Sequence, residues 1–210
     1  DLSGEGGLVW IKERTVTQNN MLIDTVRGAT KVLVSNSYGA EYTDTSSLTA
    51  FNNDGFTINN GNEVNHNSQD FVSWTFRKAP GFLDIVTWDG DGTSGRAIPH
   101  ELGSTPGMVI IKCTTDTKNW PVWHRSLPNV SADYFLFLDT TDPENNPYQG
   151  FLGAPDASNF YVGANSAANG PGRSYVAYVF AHDDQSFGTN GDESIIKCGS
   201  YTGTTSAIDL

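Results

Sequence analysis

"GLVWIK" occupies residues 7–12 and "GMVIIK" residues 107–112. The same hexapeptide pattern, written twice 100 residues apart, marks an internal repeat, and the match runs well past it. "TQNNMLIDTVRG" from Thr17 aligns with "TKNWPVWHRSLP" from Thr117. "KVLVSN" from Lys31 aligns with "YFLFLD" from Tyr134. "FTI" from Phe56 faces "FYV" from Phe160, and "FVSWTF" from Phe71 faces "YVAYVF" from Tyr175. The offset drifts only from 100 to 104, as short loop insertions would cause. A third beginning is visible. "TWDGDGTSGRAIPHELG" leads into the second copy, and "SYTGTTSAIDL" at the end of the chain resembles its first part, with Trp88 facing Tyr201 and Ala97-Ile98 facing Ala207-Ile208. The opening "DLSGEGGLVWIK" reads like the same lead-in cut partway.

The repeated segments read as strands. In "FVSWTF" Val72, Trp74 and Phe76 share one face and Phe71, Ser73 and Thr75 the other; "YVAYVF" places Val176, Tyr178 and Phe180 on the matching face. A period of two over six residues is the strand signature. "KVLVSN" and "YFLFLD" are apolar on both faces for part of their length, as in strands buried between layers. Ile23 and Trp123 are equivalent, and Asp24 and His124 follow them on the opposite face. Turns fall between the runs, at "NNDG" 52–55, "NNGN" 59–62, "DGDG" 89–92 and "NGPG" 169–172, where Gly and Asn accept positive φ. No segment keeps a 3.6-residue period between caps. The expected fold is all-β: two tandem antiparallel β-sandwich modules related by the repeat, over 1–82 and 83–192, with 193–210 a third start or a closing strand. One larger sandwich sharing both copies is the alternative.

Composition agrees. Of 210 residues 37% are apolar and 17% charged, and Gly, Ser, Thr and Asn fill much of the rest. The net charge of −12 and pI near 4.5 repel phosphate backbones and anionic lipid surfaces, so neither nucleic acid nor membrane is expected as a partner. No apolar run approaches a membrane span, and "DLSGEGGLVW" does not read as a signal peptide. The two cysteines, Cys113 in "VIIKC" and Cys198 in "SIIKC", read as buried reduced thiols; a disulfide would require their strands to be neighbours.

Chemistry-bearing groups are sparse. Asp89 and Asp91 in "WDGDGTSG" have the spacing that opens a calcium loop, but the twelfth position is His100 where a bidentate Glu is needed, so a plain loop is expected. His182, Asp183 and Asp184 in "AHDD" are a weak metal candidate at a strand end. His66, His100 and His124 complete no constellation, and His100 in "AIPHELG" suits a backbone hydrogen bond. No nucleophile elbow, zinc helix, Walker loop or dinucleotide fingerprint occurs, and "GEGG" lacks the helix a phosphate loop needs. An enzyme is therefore not expected, nor any cofactor. Among aromatic residues beside polar loops, Trp120, Tyr148, Trp88 and Tyr201 are candidates for stacking on sugar rings. "NVS" at 129–131 is a glycosylation sequon that matters only in a glycosylating host.

Four blocks, "AIPHELGSTPGMVIIK", "WHRSL", "SYVAYVFA" and the "GSYTG" restart, resemble a repeat of bacteriophage virion structural and tail-fibre-like proteins, many from marine phages. The likeness covers nearly all of the second copy and, through "GLVWIK", "LIDTVRGATK" and "FVSWTF", the first more loosely. It implies a jelly-roll or lectin-like arrangement, a place in the virion, and a role in architecture or attachment, with no catalytic residues to carry over. The expected partners are other virion proteins, further copies in a symmetric homo-oligomer such as a trimer, and host-surface glycan bound weakly but multivalently. The alternative is a decoration or spacer module without a ligand; a polysaccharide depolymerase ranks behind both.

Overall fold

A computed structural model describes residues 1–128, 134–144 and 150–208. The chain is all-β, built from several antiparallel sheets. The first half contributes β1 (Gly7–Glu13), β2 (Asn20–Asp24), β3 (Lys31–Val34), β4 (Tyr42–Thr43), β5 (Leu48–Phe51), β6 (Phe56–Ile58), one helical turn α1 (Asn62–Asn65) and β7 (Phe71–Arg77). The remainder supplies β8 (Leu83–Asp89), β9 (Arg96–Pro99), β10 (Pro106–Cys113), β11 (Pro121–His124), β12 (Leu136–Phe137), β13 (Asn159–Val162) and β14 (Ser174–Ala181).

Two five-stranded sheets dominate. One runs β4-β3-β2-β1-β7, the other β12-β11-β10-β14-β8. The stretch β3-β2-β1-β7 has the order of β12-β11-β10-β14, and the residue partners correspond as well. Val9 lies opposite Ile23 and Val109 opposite Trp123; Trp10 opposite Trp74 and Ile110 opposite Tyr178; Leu22 opposite Leu33 and Val122 opposite Leu136. The aligned letters of the two copies are thus letters at matching ladder positions. A slip of one residue would turn every apolar side chain to the wrong face, which is why the register tracks the sequence match.

Alternation sorts the side chains into layers. Val9, Ile11, Met21 and Ile23 pack beneath the β5–β6 hairpin with Leu48 and Val64 of α1. Val109, Ile111, Trp123, Ala177 and Val179 pack beneath the β9–β13 pair with Ile98, Phe151 and Phe160. The opposite faces meet each other: Leu8, Leu22 and Leu33 share one buried cluster with Ile110, Trp120, Val122, Val176, Tyr178 and Phe180. Phe76 and Phe180, equivalent in the two copies, touch edge to face at 6.0 Å. The two main sheets, expected to belong to separate sandwiches over 1–82 and 83–192, therefore share one interior. The physical reason lies in strands such as "KVLV", apolar on both faces: one face serves the small outer hairpin and the other still needs cover.

Polar groups cross the same boundary. Arg27 and Asp24 form a buried ion pair at 2.6 Å, Tyr178 donates its hydroxyl hydrogen to Asp24 Oδ2 at 2.9 Å, and Arg27 Nη1 donates to Glu41 at 2.9 Å. Lys112, fully buried, donates to the carbonyls of Tyr38 and Lys118 and sits 5.4 Å from the Trp120 ring. Residues 193–208 contain no strand, so the closing strand expected there is not formed; Glu193 makes an isolated bridge to Phe187. Among the described residues no helix is long and apolar enough to cross a membrane.

Candidate functional site

A cleft of about 420 Å³ lies in the second half. Four separate stretches build it: Ser104–Pro106 ahead of β10, Trp123 and Arg125 at the end of β11, Ala154-Pro155, and His182–Asp184 just beyond β14. Trp123, Pro106 and Pro155 give it an apolar base. Arg125, His182, Asp183 and Asp184 give it a charged rim. Ser104 Oγ is buried with no hydrogen-bond partner among the described residues.

Local geometry explains why these side chains are held. Asp183 has φ +50°, a left-handed conformation that turns the chain sharply after β14. Ser194 Oγ donates to its carboxylate at 2.9 Å and Lys197 Nζ lies 3.2 Å away; these contacts hold Asp183 below the ordinary carboxylate range. His182 Nδ1 accepts the Cys198 N–H at 2.9 Å, which leaves the ring proton of the neutral imidazole on Nε2. Gly107 lies beneath: a Cβ there would come within 2.6 Å of His182 Cβ and 2.7 Å of Cys198 Sγ, so only glycine lets the three elements close up. Arg125 is exposed beside His124, whose ring accepts the Ser126 N–H; burial and the Arg125 charge lower the His124 pKa.

The corresponding depression of the first half, beside Glu5 and Lys78–Pro80, is smaller, about 130 Å³. Ile23 stands in place of Trp123, Thr25 in place of Arg125, and Thr25 Oγ accepts the Gly7 N–H at 2.9 Å instead of facing a depression. Between β14 and Ile196 the second copy also carries the longer loop, and that insertion holds His182–Asp184.

The candidates from sequence fare unevenly. Trp120 and Trp88 are corrected as exposed stacking platforms: both are buried, and Trp88, 8% exposed, only borders a depression of about 330 Å³ with Arg27, Asp89 and Tyr175. Trp120 is fully buried, its indole N–H donating to Val34 O and Ser37 O, because it continues the alternation of Val122 into the shared interior. Trp88 is buried against Tyr175, stacked at 5.3 Å, with its N–H on Ala168 O. Tyr201 is 67% exposed but is not among the residues lining the cleft. Tyr148 and the sequon at 129–131 lie outside the described residues. Asp89 and Asp91 lie in a loop, as their sequence suggested: Asp89 accepts from Ser174 Oγ, and Asp91 accepts from Thr93 N–H and Asn169 and pairs with Arg96. His182, Asp183 and Asp184 do come together at the cleft, yet no group of three metal-ligating side chains forms among the described residues. His100 makes the backbone contacts its position suggested, with Asp156 O and the Leu102 N–H. Cys113 and Cys198 are both buried and free. Arg125, Trp123 and Ser104 were not singled out as a site; the signal was the divergence of "WHRSL" from "IDTVR" at equivalent ladder positions.

The chain matches the model of DUF7483, a domain of unknown function, over residues 2–209. It belongs to the DUF7483 family. No curated protein and no solved structure matches the chain.

Proposed function

We propose that this DUF7483 chain is a non-enzymatic architectural module of a bacteriophage particle, part of a tail fibre, spike or capsid appendage, and that it touches host-surface glycan through the cleft of its second half. Each half would be a small jelly-roll or lectin-like sandwich, a main sheet under a hairpin cover. The virion setting rests on the resemblance of the "AIPHELGSTPGMVIIK", "WHRSL" and "SYVAYVFA" blocks to phage structural repeats.

The observation that carries the glycan part is the composition of the cleft. Saccharides present hydroxyls that both donate and accept, over apolar C–H faces. The cleft offers Arg125 as donor, Asp183 and Asp184 as acceptors, the unpartnered Ser104 hydroxyl, and the apolar surface of Pro106, Pro155 and Trp123. Such a site binds weakly by itself, and repeated display on a particle raises the avidity. The test is calorimetric titration of the purified chain with host-cell polysaccharide, alongside Arg125→Ala and Asp184→Asn. Binding by the parent chain that both variants weaken about tenfold, a loss of about 1.4 kcal/mol, supports the reading, provided the polysaccharide keeps its length. Absence of binding, or equal binding by all three proteins, removes it and leaves the spacer reading. That second reading draws on the Asp24–Arg27–Tyr178 cluster, which ties the two halves into one stiff unit.

A further inference from the structure

β14 and β7 are equivalent strands with unequal surroundings. β14 is bonded on both sides, by β10 and by β8. β7 is bonded to β1 alone and ends its sheet. Its seven residues form a long open edge with Ser73, Trp74 and Thr75 exposed and Trp74 at 47%. Long, apolar, uncovered edges are templates for another strand.

The chain contains one segment written like the strand that covers β14. After β7, Ala79 N–H donates to Leu83 O at 3.0 Å and the chain continues as β8. After β14, Asp183 N–H donates to Ile196 O at 2.9 Å in the corresponding place. From that shared point Ile196, Cys198 and Tyr201 fall at the positions of Leu83, Ile85 and Trp88. Yet residues 199–208 join no sheet, their hydrogen bonds are local, and Tyr201 is exposed. The segment does not close on its own β7, because Cys198 is held beside Gly107 by the His182 ring.

We propose that a second copy of this chain covers the edge: residues 196–203 of one molecule add antiparallel to β7 of another, in the register β8 uses on β14. That register places Ile196 opposite Phe76, Cys198 opposite Trp74 and Tyr201 opposite Phe71, by analogy with Leu83–Phe180, Ile85–Tyr178 and Trp88–Tyr175. Ile196 and Cys198 would face the interior that Leu83 and Ile85 face, and Tyr201 would lie on Phe71 as Trp88 lies on Tyr175. Ile196 and Cys198 leave the packing they have in their own chain, and the Cys198 N–H gives up His182 and enters the new ladder. Each copy offers one β7 edge and one 196–203 segment at different places, so association runs head to tail and either closes into a ring or extends as a filament. This assembly is independent of glycan binding, and its test uses no glycan.

Residues directly opposite in an antiparallel pair are close enough for a disulfide. Trp74→Cys, oxidised mildly and run on a non-reducing gel, should give cross-linked oligomers that vanish when Cys198→Ser is added. Cross-links that survive Cys198→Ser would mean that β7 pairs with itself, and a cross-link confined to single chains would mean closure within one molecule; either overturns the proposal. For the unsubstituted chain, amide exchange over 71–77 should slow at least about tenfold as protein concentration rises. Fast, concentration-independent exchange there, with no cross-linking, also overturns it.

Discussion

The two halves of this chain share a sheet and differ in what surrounds it. The first copy leaves β7 open; the second has β8 on β14 and β9 on β13, both supplied by the lead-in between the copies. The first crowds the space beside Gly7 with Leu2 and Thr25 and keeps a depression of about 130 Å³ there, whereas the second leaves a cleft of about 420 Å³ rimmed by Arg125 and His182–Asp184. Where the copies agree, the letters encode strand register and the faces that meet. Where they disagree, they encode edges and a depression, the features through which a repeat can acquire an individual role.

Substitutions at equivalent positions sharpen this contrast. The largest effect is expected from Arg27→Met. It strands the buried Asp24 carboxylate and should cost about 3–5 kcal/mol in urea unfolding, while Leu127, the equivalent residue, has no such partner to strand. Burial works against the Arg27 charge, but its contacts with Tyr178, Asp24 and Glu41 hold its pKa above the ordinary value, so the guanidinium stays charged. Trp120→Ala should cost about 3–5 kcal/mol by the same measurement, because it empties the shared interior and frees two backbone carbonyls. A loss under about 1 kcal/mol would mean that the halves barely lean on each other.

Tyr178→Phe should cost about 1–3 kcal/mol, since it leaves Asp24 one donor short. Burial raises the Tyr178 pKa, so the hydroxyl is neutral and donating in the folded chain. Its counterpart Trp74→Phe, on an exposed face, should stay within about 0.5 kcal/mol. Equal costs at the two positions would break the distinction between inner and outer strands.

Lys112 supplies a pH dependence. Burial pulls its pKa down to about 8 against the attraction of Asp139, Cys113 and Asp116. The unfolded chain holds that proton until about pH 10.4, so between those values unfolding takes up a proton and stability rises with pH. Below about pH 8 both states carry the proton, and this contribution is flat. Denaturation midpoints should therefore climb from pH 8 to pH 10 and lose that slope in Lys112→Met. A slope that persists in the variant assigns the effect elsewhere. The smallest stability change, within about 0.5 kcal/mol, is expected for the exposed Arg125→Ala, whose effect belongs to glycan binding.

Much of the fold was legible because strand pairing leaves a period-two record. The matches at 7 and 107, 21 and 121, 31 and 134, and 71 and 175 fall on the ladders of β1 and β10, β2 and β11, β3 and β12, and β7 and β14. The shared interior was less legible. Nothing in a single strand says whether its second apolar face meets a hairpin or another sheet. Trp120 and Trp88 were misread because the Asn, Pro, Gly and Asp beside them suggest loops, whereas the period set by Val122 and by Ile85–Val86 runs on into the core. The cleft was illegible because it gathers residues from four distant stretches, none of which forms a motif alone.

The central claim is that the equivalent faces of the two sheets form one interior, so that neither half stands without the other. Amide exchange along β1 and β10 of the intact chain, followed through a denaturant series, tests it most directly. The account predicts that Val9–Ile11 and Val109–Ile111 exchange through one opening with the same free energy and the same denaturant dependence. Two separate openings, with the first half unfolding while the second keeps full protection, would contradict it.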